Sequence, residues 1–153
     1  MGAGFSRLDE TVQHQLLDRA RRAREHAYAP YSNFTVGAAV LTAAGEIFSG
    51  CNIENASLGA TICAERVAIF TAVAAGCLDL TALLVIADTP DPVAPCGLCR
   101  QVLAELSPNC RVLMANTAGR IRLANLQELL PLAFRLPPLE RARAAKPTQG
   151  EKI

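Results

Sequence analysis

The segment that most constrains this chain is "LTALLVIAD", Leu80 to Asp88. Apart from Thr81 it is apolar through Ala87, and it is strand length, far short of the ~18 residues that a membrane span needs. A strand without polar alternation is buried on both faces, so it belongs near the middle of a sheet with helices above and below. The flanking sequence can supply them. Leu8, Val12, Leu16, Ala20, Ala23 and Ala27 recur at three- and four-residue steps, which predicts a first helix with one buried face. Ser6 is its expected N-cap, with Asp9 at the third helical position.

"TVGAAVLTAAGEIFSGCNIEN" reads as a hairpin, with strands over 35–42 and 46–52 around Ala44-Gly45. Gly37 inside a strand predicts a close approach by backbone or ligand. A second helix is expected from about Cys63 to Ala75, closed by Gly76, and a third over "CGLCRQVLAEL". "CRVLMAN" and "GRIRL" form two more short strands, and "NLQELLP" a short helix. Helices interleaved with strands around a mixed five-stranded sheet give an α/β fold of three layers, α/β/α. Residues 1–136 are expected to form one domain, and the polar, Pro-containing stretch 137–153 a mobile tail.

The net charge of +1 exerts no general pull toward nucleic acid or anionic membranes. Arg19, Arg21, Arg22 and Arg24 fall on the solvated side of the first helix, because its apolar stripe continues between them. His14 and His26 lie too far apart on that helix to share a metal, and both read as surface or partly packed residues. The start "MGAGFSRLDE" lacks a hydrophobic signal core, which points to the cytoplasm; its loose match to a myristoylation pattern is better read as a flexible lead into a helix cap. Six cysteines in such a chain argue for metal, catalysis or core filling rather than a disulfide framework.

Two motifs carry the chemistry. In "TICAER", Cys63 and Glu65 are two residues apart, which on a regular helix turns them about 200° from each other. They can face one site only if the helix begins there, with Cys63 at its cap. In "PCGLCRQ", Cys96 and Cys99 are three apart at another predicted helix start, so both thiols can share a face. Thiolates are favoured at helix N-termini by the macrodipole and the free N–H groups. If the two starts converge, three thiolates meet, and three protein ligands without a fourth describe a catalytic zinc site. Glu65 would then serve as proton acceptor beside activated water rather than merely complement the helix dipole. Arg66 and Arg100 follow the motifs directly, and either could donate hydrogen bonds to sulfur. Cys51, Cys77 and Cys110 fit no ligand pattern and read as small buried residues.

At this point the residues resemble the cytidine deaminases, specifically the small homotetrameric type with a three-cysteine zinc site. "YAPYSNFTVGAAV", "GCNIENAS", the two zinc motifs and "LLPLAF" look like family segments in family order, spanning most of residues 28 to 134. The resemblance implies that Cys63, Cys96 and Cys99 bind one Zn²⁺ per subunit, and that Glu65 shuttles protons from zinc-activated water to the pyrimidine and the leaving amine. It implies nucleoside contacts by Phe34, Asn52 and Glu54, with Asn52 and Glu54 on the ribose hydroxyls, and a hold on the base by the Ala64 backbone. Phe134 matches the aromatic that a neighbouring subunit lays over the base, which would make the active sites shared. The implied reaction is hydrolytic deamination of cytidine and deoxycytidine to the uracil nucleosides plus ammonia, as in pyrimidine salvage, with no part for nucleic acid or membrane. The chain departs from the family pattern at Leu58, where many relatives carry an aromatic, and in the "RLPPL" after Phe134.

The residues alone agree where they speak. Asn52 and Glu54, two apart at a strand end, share a face, and a carboxylate there would repel a phosphate, so nucleosides are expected rather than nucleotides. The alternatives are a blasticidin S deaminase with the same zinc elements, a thiol–disulfide oxidoreductase using Cys96 and Cys99, and a non-enzymatic zinc module. The second leaves Cys63 and Glu65 unexplained, and the third needs a fourth ligand. RNA editing has little support, because aromatics are few.

Overall fold

A computed structural model describes residues 8–136; Ser6 and the tail 137–153 lie outside the described residues. Helix α1 (Glu10–Arg24) is capped by Asp9, whose Oδ1 accepts the N–H groups of Thr11 (2.8 Å) and Val12 (3.4 Å). The cap therefore falls on Asp9 and not on Ser6. One Asp side chain reaches both free amides and brings negative charge to the positive end of the helix. The helix also stops at Arg24, before Ala27.

The sheet has the order β2-β1-β3-β4-β5. Its centre is β3 (Leu80–Ala87), as the unbroken apolar run requires. On one side β3 pairs antiparallel with β1 (Val36–Thr42), which pairs antiparallel with β2 (Ile47–Cys51). On the other it pairs parallel with β4 (Arg111–Asn116), and β5 (Ile121–Asn125) closes that edge antiparallel. β5 begins two residues later than "GRIRL" suggests, because Gly119, at a φ of 90°, is used in the turn.

Alternation along β3 divides the core into two layers. Leu83, Val85 and Ala87 pack with Ala68, Ile69 and Ala72 of α2 (Ala64–Ala74) and Leu103 of α3 (Gly97–Leu106). Ala82, Leu84 and Ile86 face Leu16 and Ala20 of α1. Both faces of β3 are thus dry, and its fully buried Leu and Ile side chains contribute ~1.5–3 kcal/mol each. The three layers α/β/α follow directly. A 3-10 turn (Leu58–Ala60) precedes α2, and a one-turn helix α4 (Leu126–Leu129) follows β5.

Arg19, Arg21 and Arg22 of α1 are exposed, as expected for its solvated side, and Arg24 is half-buried. Arg19 donates to the Ile47 carbonyl (3.2 Å), Arg22 pairs with Asp18 and Arg24 donates to the Thr35 carbonyl (3.0 Å). His14 and His26 are exposed. Among the described residues no helix is long and apolar enough to cross a membrane.

Two glycines set how closely helices approach the sheet. A Cβ on Gly37 would lie 2.0 Å from the Ala20 carbonyl oxygen and 2.8 Å from Arg24 Cβ, so the close approach expected there is the backbone of α1. A Cβ on Gly50 would lie 2.6 Å from the Ala68 nitrogen of α2. Gly37→Ala is expected to push α1 off the sheet and cost about 1–3 kcal/mol, the usual range for overpacking, read as a lower urea midpoint at unchanged slope.

Candidate metal and active site

The strand register gathers the site at one end of the sheet. Val36 pairs with Ala87 and Gly37 with Cys51, so the start of β1 and the ends of β2 and β3 lie side by side. The chain leaves β2 toward α2 and leaves β3 toward α3. The carboxyl end of β3, with an antiparallel neighbour on one side and a parallel one on the other, is where a crevice opens in sheets of this kind.

Both helices that border this crevice begin with a cysteine. Cys63 is the N-cap of α2 in extended conformation (φ −76°, ψ 152°), and Cys96 is the N-cap of α3 (φ −66°, ψ 167°). Cys63 therefore stands outside regular helical geometry, and the 200° separation from Glu65 does not apply. Cys99 lies in the first turn of α3 and is fully buried. The Sγ atoms of Cys63 and Cys96 are 3.7 Å apart and those of Cys96 and Cys99 3.5 Å, and all three lie within 4.8 Å of one another. Tetrahedral thiolates at a Zn–S distance of ~2.3 Å would stand ~3.8 Å apart, so the donor set fits zinc in both chemistry and spacing. Cys96 sits about as close to Cys63 as to Cys99, which does not single out a two-cysteine redox pair.

The electrostatics suit bound thiolate. The Cys63 thiol is lowered to about 5, first by hydrogen bonding with Cys99 and then by Arg66, whose Nη2 donates to its sulfur at 3.5 Å. The Cys99 thiol is pushed up by the same hydrogen bond with Cys63 and by burial, since the two sulfurs disfavour a second negative charge. Arg66 Nε is buried without a hydrogen-bond partner among the described residues. Arg100 does not reach sulfur, contrary to the expectation from its position. Its Nε donates to the Pro95 carbonyl (2.6 Å) and its Nη1 to the Leu129 carbonyl (2.9 Å), because a side chain in the first turns of a helix points back toward the N-terminus and so along the incoming loop.

Glu65, in the first turn of α2, is 4% exposed, and burial raises its carboxyl to about 7. It lines a cavity of about 180 Å³ together with Phe34, Asn52, Glu54, Cys63 and Cys96. The structure thus brings together six of the nine residues singled out in the sequence. The rest of the wall is Val36, Thr61, Ile62, Val85, Val93 and Ala94, none of which was singled out in the sequence as a site residue. Ala64 is fully buried at the start of α2, where the cap makes no side-chain hydrogen bond. Phe134 does not line this chain's own cavity and is 67% exposed. A larger cavity of about 630 Å³, between the α1 start and β4–β5, contains none of these groups.

The two polar residues expected on a sugar also hold the loop that carries Phe34. Asn52 Oδ1 accepts the Val36 N–H (2.8 Å) and its Nδ2 donates to the Phe34 carbonyl (2.8 Å). Glu54 Oε2 accepts the N–H groups of Tyr31 (2.8 Å) and Ser32 (3.2 Å), and Oε1 accepts the Ser32 hydroxyl. The same loop turns through Asn33, at a φ of 56°, a conformation that Asn tolerates well. Behind the opposite wall, fully buried Asn116 donates through Nδ2 to the carbonyls of Thr89 (3.1 Å) and Pro90 (2.9 Å), steadying the loop that leads to Cys96. Of the remaining cysteines only Cys110 is buried, and its thiol is pushed up to about 12. Cys51 and Cys77 are half-buried, Cys51 at a sheet edge and Cys77 bonded to Glu46 Oε2 (3.3 Å), which corrects the expectation that all three fill the core.

Residues 10–115 match the family described as the cytidine and deoxycytidylate deaminase zinc-binding region. A cytidine deaminase of Halalkalibacterium halodurans is 51% identical over 123 residues, which cover 80% of this chain and 93% of that protein. The crystal structure of cytidine deaminase from Burkholderia pseudomallei superposes with a TM-score of 0.76 at 51% identity, covering 79% of this chain and 98% of that one. That from Mycobacterium tuberculosis gives 0.71 at 38% identity, covering 81% and 98%. The chain belongs to the cytidine and deoxycytidylate deaminase family, and its mixed sheet and helices are the fold of that family.

The Glu54 carboxyl is held below its ordinary value of 4.5, first by the Ser32 hydroxyl and then by the two loop amides. A depressed carboxyl contributes stability that is present above the unfolded value and is lost as pH falls through the folded one. The gap in melting temperature between the parent protein and Glu54→Gln is therefore expected to be full at neutral pH and to shrink on acidification below 4.5.

Proposed function

We propose that the protein is a zinc-dependent hydrolase that deaminates cytidine and deoxycytidine to uridine and deoxyuridine with release of ammonia. The observation that carries this is a cluster of three convergent thiols, two of them lining the same small cavity as a buried carboxyl, in a chain about half identical to a cytidine deaminase over most of its length. Cys63, Cys96 and Cys99 would hold one zinc ion per subunit, which when bound supplies a Lewis-acidic centre that lowers the pKa of water toward ~7.

Glu65 is the proton carrier. Its carboxyl, raised to about 7, can accept and release a proton near neutral pH, where a group of ordinary acidity would stay ionised. It takes a proton from the attacking water and delivers it to N3 of the pyrimidine as oxygen bonds to C4. Glu65 then takes the remaining proton from the new C4 hydroxyl and gives it to the exocyclic amine, the C4–N bond breaks as the C4 carbonyl forms, and ammonia leaves. Atoms balance as nucleoside plus water to uracil nucleoside plus ammonia. The apolar walls Val36, Val85 and Val93 exclude bulk water. The free end of α2 at Ala64 offers an N–H to the base carbonyl.

Phe34 walls the nucleoside. Asn52 keeps one amide hydrogen and Glu54 one acceptor site after their loop contacts, and these fit vicinal hydroxyls. Two carboxylates on one small cavity disfavour a phosphate and support a nucleoside substrate. The apolar rim formed by Leu132, Phe134 and Leu136, all exposed, supports a homotetramer in which Phe134 lies over the base in an adjoining subunit. A reducing cytoplasm would keep the zinc thiols available.

Purified protein is expected to release ammonia from cytidine and to contain zinc on the same sample. Glu65→Ala should retain zinc and the unfolding transition and lose about 10²–10⁴-fold in kcat, the range for a positioned acid–base group; substantial retained turnover would sink the proton-carrier role.

A further inference from the structure

Immediately after Cys99, two consecutive side chains tie α3 to the end of the described chain. Arg100 joins the loop before Cys96 to the end of α4, through the Pro95 and Leu129 carbonyls. Gln101 does something more specific. Its Nε2 donates to the Phe134 carbonyl (2.8 Å), and its Oε1 accepts the Phe134 N–H (3.2 Å). Both backbone groups of one residue are thus bound by one side-chain amide, the pairing that a neighbouring β-strand would offer. Two fixed backbone atoms set the direction in which Phe134 sends its side chain. Yet the ring itself is 67% exposed, and its neighbour Leu132 is 93% exposed. The backbone is pinned while the side chain is packed against little, so the contact holds the ring outward for something beyond this subunit.

We propose that Gln101 is a positioning residue for Phe134, fixing that aromatic for use in the active site of an adjoining subunit; this rests on the role of Phe134 proposed above. One helix then serves two sites. The cap and first turn of α3 carry Cys96 and Cys99 for its own subunit, and its next turn aims an aromatic at another. The physical requirement is that a ring lying over a base must arrive in one orientation. A Phe on an untethered strap loses side-chain and backbone freedom on each binding event, and a two-point amide clamp removes most of that cost beforehand.

Gln101→Leu keeps most of the side-chain bulk, one atom shorter, and removes both hydrogen bonds. With two neutral hydrogen bonds lost, KM for cytidine is expected to rise on the order of 30-fold, with kcat within about threefold and with zinc content and oligomeric state unchanged. Gln101→Glu keeps only the acceptor for the Phe134 N–H and should fall between. Phe134→Ala should raise KM at least as far, and adding Gln101→Leu to it should change nothing more, because the clamp then holds no ring. In mixed oligomers of Gln101→Leu with Glu65→Ala subunits, live sites that receive Phe134 from a Glu65→Ala subunit should recover low KM, visible as a second kinetic phase.

The outcomes separate the two ideas. If Phe134→Ala leaves KM unchanged, Phe134 does not contact substrate and both ideas fall. If Phe134→Ala raises KM but Gln101→Leu does not, or the two effects add in full, the clamp is overturned while the role of Phe134 stands. Loss of zinc or of kcat in Gln101→Leu, or absence of the second phase in mixed oligomers, also overturns it.

Discussion

Everything at the functional end of this protein depends on two helix starts being aimed at one point. α2 and α3 both begin at a cysteine in extended conformation, and neither start has a side-chain cap. Where Ser or Asp would normally accept the first free amides, these helices keep amides and dipole available to thiolate. Bringing three sulfurs within 4.8 Å of one another is costly for anions without a cation. The cost shows in the opposite movements of Cys63 and Cys99, one thiol lowered and the other raised. Arg66 offsets part of it from within α2, and a zinc ion would offset the rest.

The convergence is enforced by the sheet rather than by the cysteines. α2 is seated against β2 because Gly50 leaves room for Ala68, and α3 is seated by Leu103 in the layer that β3 and β4 share. The antiparallel register of β1 with β3 then brings Val36 to Ala87, so that the loop carrying Phe34 closes over the same end. Asn52 and Glu54 stitch that loop down before any substrate arrives. Residues that the sequence suggested only as substrate contacts therefore have a structural role, in hydrogen bonds to Tyr31, Ser32, Phe34 and Val36.

Much of this was legible in the order of residues, for local reasons. The apolar run of β3 placed it at the centre of the sheet, and the hairpin expected before it fell within a residue or two of β1 and β2. Cys63 at a helix cap could be inferred from the need to reconcile it with Glu65. The misses have an equally local cause. Ser6 and Asp9 are both good caps, and sequence alone does not say which turn the tertiary contact of Leu16 and Ala20 will stabilise. Arg100 beside a zinc ligand looked like a sulfur donor, but side-chain direction on a helix sends it back to Pro95. Ser32, Asn116 and Gln101 could not be assigned from sequence, since the partners that give them their roles, the Glu54 carboxylate, the Thr89 and Pro90 carbonyls and the Phe134 backbone, lie more than twenty residues away in the chain.

By itself the sequence determined the chemistry present: three cysteines and a glutamate at two helix starts, separated by one strand buried on both faces. Helix caps and strand periodicity are local properties, set by a few neighbouring residues. Only the tertiary structure decided that the two starts point at each other, that Asn52 and Glu54 line the cavity while bonding the loop beside it, and that Phe134 is pinned to α3 with its ring outward. Those are distances between residues remote in the chain, and they depend on strand register and helix seating, which the packing of the whole core selects.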